Sequence, residues 1–140
     1  MEKTIINPPN LAPPRGFNHG ILVSGGRMLF LAGQDASDAQ GQIVAPGNML
    51  GQCAQVLRNL RAVVEAAGGT MQDIVKLTIF VADRDDYRTN LKPLGALFRQ
   101  HFGDYYPAMA LFEVSNFFQD DALIEIEGFA VINEELKIEN

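Results

Sequence analysis

Apolar and polar positions alternate most clearly near the end of the chain, over residues 122–131. One set of alternate side chains is apolar or small: Ile124, Ile126, Gly128 and Ala130. The other set mixes apolar and acidic side chains: Leu123, Glu125, Glu127, Phe129 and Val131. Successive side chains of a strand point to opposite faces. The segment is therefore predicted to be a strand whose first set packs on helices and whose second set lines a different surface.

Spacings of three and four predict two helices. The first begins after Asn48, a suitable N-cap, and stops at Gly68-Gly69. Its apolar stripe is Leu50, Cys53, Leu57, Leu60, Val64 and Ala67. The second runs from about Asn90 to about Phe102, with Leu91, Leu94, Leu97 and Phe98 as its buried stripe.

Further strands and turns complete the order. Residues 21–24 and 27–32 predict a β-hairpin that turns at Gly25-Gly26, because glycine permits positive φ. A strand over 74–81 should place Val75, Leu77, Ile79 and Val81 on one face. Residues 106–114 form the strand before the last one. The result is a ββαβαββ order, an α+β fold with two helices on one face of a sheet.

Composition bounds the class of protein. The chain has 140 residues, of which 47% are hydrophobic and 20% charged, as expected for a single domain over residues 1–140. Its four early prolines predict an extended arm over 1–16, and residues 133–140 are expected to form a tail. A net charge of -6 and a pI near 4.8 argue against nucleic-acid partners.

The cysteine and histidine positions and the apolar stretches of the sequence predict metal content and localisation. Cys53 is the single cysteine, so neither an internal disulfide nor a structural zinc site is expected. His19 and His101 lack metal-ligand spacing, and we expect no metal and no cofactor. Without an apolar signal core or a membrane-spanning stretch, the protein is expected to be cytoplasmic and to have no membrane contact.

The sheet face opposite the helices needs a cover of its own. Its large apolar side chains stand beside acidic ones, which is too apolar for open water and too charged for the core of a monomer. Self-association with polar pockets at the interface satisfies both properties.

Segments 106–114 and 122–131 resemble two neighbouring strands of the reactive-intermediate deaminase family, also called Rid or YjgF-type. The resemblance extends along the whole chain. It implies a chorismate mutase-like sheet, a homotrimer with a barrel-like centre, and clefts between adjacent subunits. It also implies a small-molecule ligand, an imine or enamine that is hydrolysed with release of ammonia.

Glu125 matches the family glutamate that positions or activates the attacking water. Desolvation in a cleft would raise the pKa of such a carboxylate, which could then move protons near neutral pH. The alternative is structural: Glu125 or Glu127 pairs with a basic residue at an interface.

Three positions depart from the family pattern. Met109 stands where the family usually has an arginine that holds the substrate carboxylate, and a thioether cannot donate a hydrogen bond. Phe17 replaces a frequent tyrosine and Leu91 a frequent asparagine. All three changes make the cleft more apolar, which predicts a larger or uncharged substrate rather than a simple 2-imino acid.

The remaining candidates would line the cleft. Gly33 and Gln34 match the family's strand-end pair, Phe112 could add an aromatic wall, and Arg15 could supply the missing cation. A second hypothesis keeps the scaffold without the chemistry: a ligand-binding or interaction homotrimer that catalyses nothing.

Overall fold

The computed structural model describes residues 1–134 and confirms an α+β domain. The strands are β1 Glu2–Ile6, β2 Gly20–Ser24, β3 Arg27–Gln34, β4 Ile74–Val81, β5 Ala108–Glu113 and β6 Ile124–Ile132. The α-helices are α1 Met49–Ala66, α2 Arg84–Thr89 and α3 Leu91–Phe102, and a 3-10 turn spans Met71–Asp73. Apart from residues 133 and 134, the predicted tail lies outside the described residues.

The main sheet has four strands in the order β3-β6-β4-β5. β6 runs antiparallel to both of its neighbours, and β4 runs parallel to β5. A parallel pair requires a crossover connection, which α2 and α3 supply between β4 and β5. The central strand β6 therefore has hydrogen-bonded strands on both sides.

The predicted hairpin of residues 21–24 and 27–32 is wrong in its pairing. β2 instead pairs with β1, the first part of the predicted arm, in a separate two-stranded sheet. β3 pairs with β6. Gly25 and Gly26, with φ of 75° and 83°, turn the chain from one sheet to the other. Glycines mark the turn, but they do not select which strand becomes the partner.

The helices begin and end close to the predicted positions. The Asn48 side chain accepts a hydrogen bond from the Gly51 N–H at 2.9 Å and so caps α1. α2 was not predicted, because it is short, polar and has no buried residue. Leu91 was predicted to lie in the buried stripe of α3, but its side chain is 56% exposed. It is the first residue of α3.

The core lies between the main sheet and the helices. Ile124, Ile126 and Ala130 of β6 are fully buried there, as the alternation predicted. On β4, Leu77 is buried but Val75 is only partly so, and Ile74 takes its place in the core. A register shift between Ile74 and Lys76 against β6 moves Val75 off the predicted face.

The opposite face of the sheet carries large exposed side chains. Met28 is 62% exposed and Phe30 is 69% exposed, and the Phe30 ring meets Phe129 edge-on at 5.4 Å. Such a patch supports the prediction of self-association. Within residues 1–134, no helix is long and apolar enough to cross a membrane.

Gly128 fixes how closely β4 and β6 approach. A Cβ added there would lie 1.9 Å from the Lys76 carbonyl oxygen, which is backbone and cannot move aside. We expect Gly128→Ala to lower the free energy of unfolding by about 3 kcal/mol, the upper end of the usual range for overpacking. Denaturant unfolding at fixed protein concentration measures this change. Gly20→Ala is the control, since its Cβ would meet Ile6 at an ordinary 3.6 Å; equal midpoints for the two variants would contradict the prediction.

Candidate active site

A cavity of about 490 Å³ opens between β5, α3 and the segment before β2, and is called here the arm cavity. Most of its wall is apolar, formed by Phe17, Ile79, Leu91, Leu94, Phe98, Met109, Ala110 and Leu111. Gly16 and Gly95 contribute backbone, and Arg15, Tyr87, Arg99 and Tyr106 supply polar groups. Four of the predicted site residues therefore share one cavity: Arg15, Phe17, Leu91 and Met109.

Hydrogen bonds hold the arm over this cavity. The Asn18 backbone N–H donates to Pro107 O at 3.1 Å, and its side-chain amide donates to Tyr106 O at 2.6 Å. The Asn7 amide donates to Asn18 Oδ1 at 2.9 Å. The His19 ring packs edge-on against Phe17 at 5.2 Å. These contacts tie the arm to the start of β5 and place Phe17 above the cavity.

Met109 lies on the helix side of the sheet. It stands directly opposite Leu77 on the parallel strand β4, and paired positions share a face. Leu77 is fully buried in the core. Met109 thus gives the arm cavity an apolar floor.

Glu125 lies in a second, smaller pocket, called here the carboxylate pocket, of about 350 Å³. The lining residues are Gly33, Phe80, Val114, Asn116, Phe117, Phe118, Glu125 and Glu127. A Cβ at Gly33 would lie only 2.8 Å from Glu125 Oε2, so glycine is what lets the carboxylate rest against β3. Of the residues predicted to line a cleft, Gly33 thus lies next to Glu125.

The surroundings of Glu125 in the carboxylate pocket make its carboxyl harder to ionise than an ordinary glutamate, because they raise its pKa. Partial burial raises the pKa of its carboxyl, and the nearby charges of Asp35 and Glu127 raise it further. Among residues 1–134 the salt bridges are Arg61–Glu65 and Arg84–Asp85, so Glu125 and Glu127 have no basic partner within the described chain. The structural alternative of an ion pair at Glu125 gains no support from a single protomer.

The two pockets lie on opposite faces of the sheet. Glu125 stands opposite Phe80 of β4, whereas Met109 stands opposite Leu77. Phe80 and Leu77 are three positions apart on one strand and therefore point to opposite sides. Within one protomer, Glu125 and Met109 therefore project from opposite faces of the main sheet.

Phe112 and Gln34 belong to neither cavity wall. Phe112 is on the Glu125 face, where its ring stacks on Phe80 with centroids 6.3 Å apart. The Gln34 side chain points back to the Ala32 carbonyl oxygen at 3.5 Å.

Sequence reasoning missed three residues that shape the site. Gln52, fully buried, accepts from the Leu123 N–H at 2.8 Å and donates to Asp121 O at 2.9 Å, which fixes the chain as it enters β6. Arg99 and Tyr87 line the arm cavity. Arg99 follows Leu91 by two helical turns, so the helical period could have placed both on one side of α3.

Known proteins resemble the chain over nearly its full length. The family profile described as endoribonuclease L-PSP matches residues 9–132. A RutC family protein of Pyrococcus horikoshii is 33% identical over 128 residues, covering 91% of this chain and 97% of the relative. An Escherichia coli protein named 2-iminobutanoate/2-iminopropanoate deaminase is 37% identical over 132 residues, covering 94% and 98% respectively.

A solved structure is likewise similar to this chain over nearly its full length. The Rid family protein YyfB from Yersinia pestis, described as a protein of unknown function, superposes with a TM-score of 0.84 at 34% identity. The match covers 94% of this chain and 100% of that one. The chain belongs to the YjgF/Rid family.

Removing an acidic neighbour should make Glu125 easier to ionise. Because the charges of Asp35 and Glu127 raise its pKa, we expect Asp35→Asn and Glu127→Gln each to move that pKa downward, toward the ordinary glutamate value. Carbon-detected NMR titration of the Glu125 carboxyl measures the change. Glu2→Gln, on the distant strand β1, serves as the control. A Glu125 titration that is unaltered in both variants would contradict the assigned cause.

Proposed function

We propose that the chain hydrolyses a reactive imine or enamine to a carbonyl compound and ammonia, with Glu125 handling the water. The observation that carries the proposal is the Glu125 carboxylate itself. It lies against Gly33 on the face of the sheet away from the helices, beside two other acids and without a cation in the described chain. The name of the Escherichia coli relative, an imino-acid deaminase, supports this class of reaction.

A carboxylate with a raised pKa can carry out the proton transfers that this reaction needs. Ionised Glu125 accepts a proton from water while the water oxygen adds to the C=N carbon. Glu125 then returns this proton to the nitrogen, which gives a tetrahedral intermediate with one hydroxyl and one amino group. As the C–N bond of this intermediate breaks, the hydroxyl proton is transferred to the nitrogen, and the products are the carbonyl compound and ammonia. An enamine first gains a proton on carbon and loses one from nitrogen, and so becomes the imine.

The proposed site is shared between subunits. The arm cavity and the carboxylate pocket lie on opposite faces of one sheet, so one substrate can contact both only when they come from different copies. Exposed Met28, Phe30 and Phe112 on the Glu125 face provide apolar surface for such an assembly. The homotrimer implied by the family resemblance would place the arm cavity of one copy against the carboxylate pocket of the next.

The apolar floor at Met109 argues against a simple 2-imino acid as the preferred substrate. Such a substrate carries its carboxylate on the C=N carbon, and Met109 offers that group no donor. Loss of a buried charge pair of this kind weakens binding by roughly 2–5 kcal/mol. The cavity volume of about 490 Å³ accommodates a larger apolar body. The same departure favours the second hypothesis, a trimer that binds a ligand without hydrolysing it.

Ammonia release separates the two hypotheses. We expect the native protein to accelerate hydrolysis of imines and enamines generated in situ, and Glu125→Gln to lower the rate about 10²- to 10⁴-fold, the usual contribution of a positioned acid–base group. Glu2→Gln is the matched control, because this exposed glutamate on β1 is far from both pockets. Unchanged turnover in Glu125→Gln would refute the proposed role.

The same assay tests the part played by Met109. Substrates with and without a carboxylate on the C=N carbon are compared in native protein and in Met109→Arg. We expect native protein to prefer the bulkier substrates, and Met109→Arg to shift the preference toward 2-imino acids. If no substrate is turned over above the spontaneous rate, the binding hypothesis replaces the enzymatic one.

A further inference from the structure

Two exposed arginines that the proposed hydrolysis does not use line the arm cavity. Arg15 reaches it from the arm and Arg99 from α3. Neither side chain takes part in a salt bridge or a hydrogen bond with another of residues 1–134. Two positive groups thus stand at one cavity of a chain whose net charge is -6.

Gly95 directs Arg99 toward the cavity. Leu91, Gly95 and Arg99 follow one another at intervals of four residues and therefore share one side of α3. Arg99 Nη1 lies 3.5 Å from the point where a Cβ of Gly95 would be. The guanidinium is folded back along the helix over the missing side chain, and this brings it to the cavity wall.

The surroundings of these guanidinium groups combine apolar surface with phenol groups. Phe17, Leu94 and Met109 contribute aromatic and aliphatic wall, and Tyr87 and Tyr106 also line the cavity. Burial raises the pKa of Tyr87 well above its ordinary value, so its hydroxyl stays protonated at neutral pH. A protonated phenol can donate a hydrogen bond to an anion.

We propose that the arm cavity binds an organic carboxylate with an apolar body, whose carboxylate is held by Arg99 with help from Arg15. An arginine fork matches a carboxylate bidentately, and the apolar wall accepts the remainder of the molecule. Binding of such a carboxylate does not depend on the proposed hydrolysis, but the statement that it is part of the substrate does. It then defines the substrate class: an imine or enamine whose carboxylate is separated from the C=N carbon, since the anchor is Arg99 rather than residue 109.

Phenylacetate and its neutral counterpart phenylacetamide test the anchor in the full-length protein. We expect calorimetric titration to show that phenylacetate binds at least about tenfold more tightly than phenylacetamide. A charge-assisted hydrogen bond to the carboxylate accounts for a difference of this size. Arg99→Gln should abolish this preference. Arg88→Gln should keep it, because Arg88 is equally exposed but lies on α2, outside the cavity lining. Circular dichroism checks that the variants stay folded.

The methyl group of Met109 reports where the probe binds. With methionine labelled at the methyl carbon, phenylacetate should shift the Met109 signal in native protein. Equal affinity for phenylacetate and phenylacetamide, or an undiminished preference in Arg99→Gln, would overturn the proposal. So would binding that leaves the Met109 signal unmoved.

Failure of the hydrolytic function is distinguishable from failure of the anchor. Suppose that the preference for phenylacetate over phenylacetamide depends on Arg99, but no substrate releases ammonia. In that case the carboxylate site at Arg99 is supported and the hydrolase proposal fails. If ammonia is released but the protein binds phenylacetate no more tightly than phenylacetamide, the hydrolase proposal is supported and the carboxylate site at Arg99 is refuted.

Discussion

The register of β6 against β4 is the constraint on which the candidate site depends. It sets Glu125 opposite Phe80 and buries Ile124 and Ile126 on the other face, so the carboxylate cannot turn toward the helices without exposing the core. A slip of one residue would exchange these two faces. Gly128 permits the close approach of the strands, and Gln52 fixes the chain entering β6. Site and core are thus stabilised by the same contacts.

This register also explains why the two pockets of one protomer are built around opposite faces of the main sheet. Met109 and the guanidinium of Arg99 belong to the helix side of the sheet, and Glu125 belongs to the opposite side. The exposed Phe30 and Phe129 surround the acidic side with apolar surface. We propose that association covers that surface and completes the cleft in the same step, so that assembly and chemistry are coupled.

The alternation and spacing patterns predicted the elements well, because burial on one face imposes a period on the sequence. They failed where the determining contact is distant: β2 pairs with β1 rather than with β3, and a bulge exchanges Val75 for Ile74 in the core. Grouping Arg15, Phe17, Leu91 and Met109 in one cavity followed from the family resemblance, not from periodicity. The separation of Glu125 from Met109 required the strand register, which a single sequence does not provide.

Subunit mixing tests the shared site most directly. Glu125→Gln damages the carboxylate pocket, and the double variant Phe17→Asp with Leu91→Asp damages the arm cavity, and each alone is expected to be inactive. Co-assembled in equal amounts, they should regain about a quarter of native ammonia release, since random mixing in a cyclic oligomer leaves that share of clefts with two intact halves. Activity that stays at the level of the separate variants, in oligomers shown to contain both chains, would contradict a site built from two subunits.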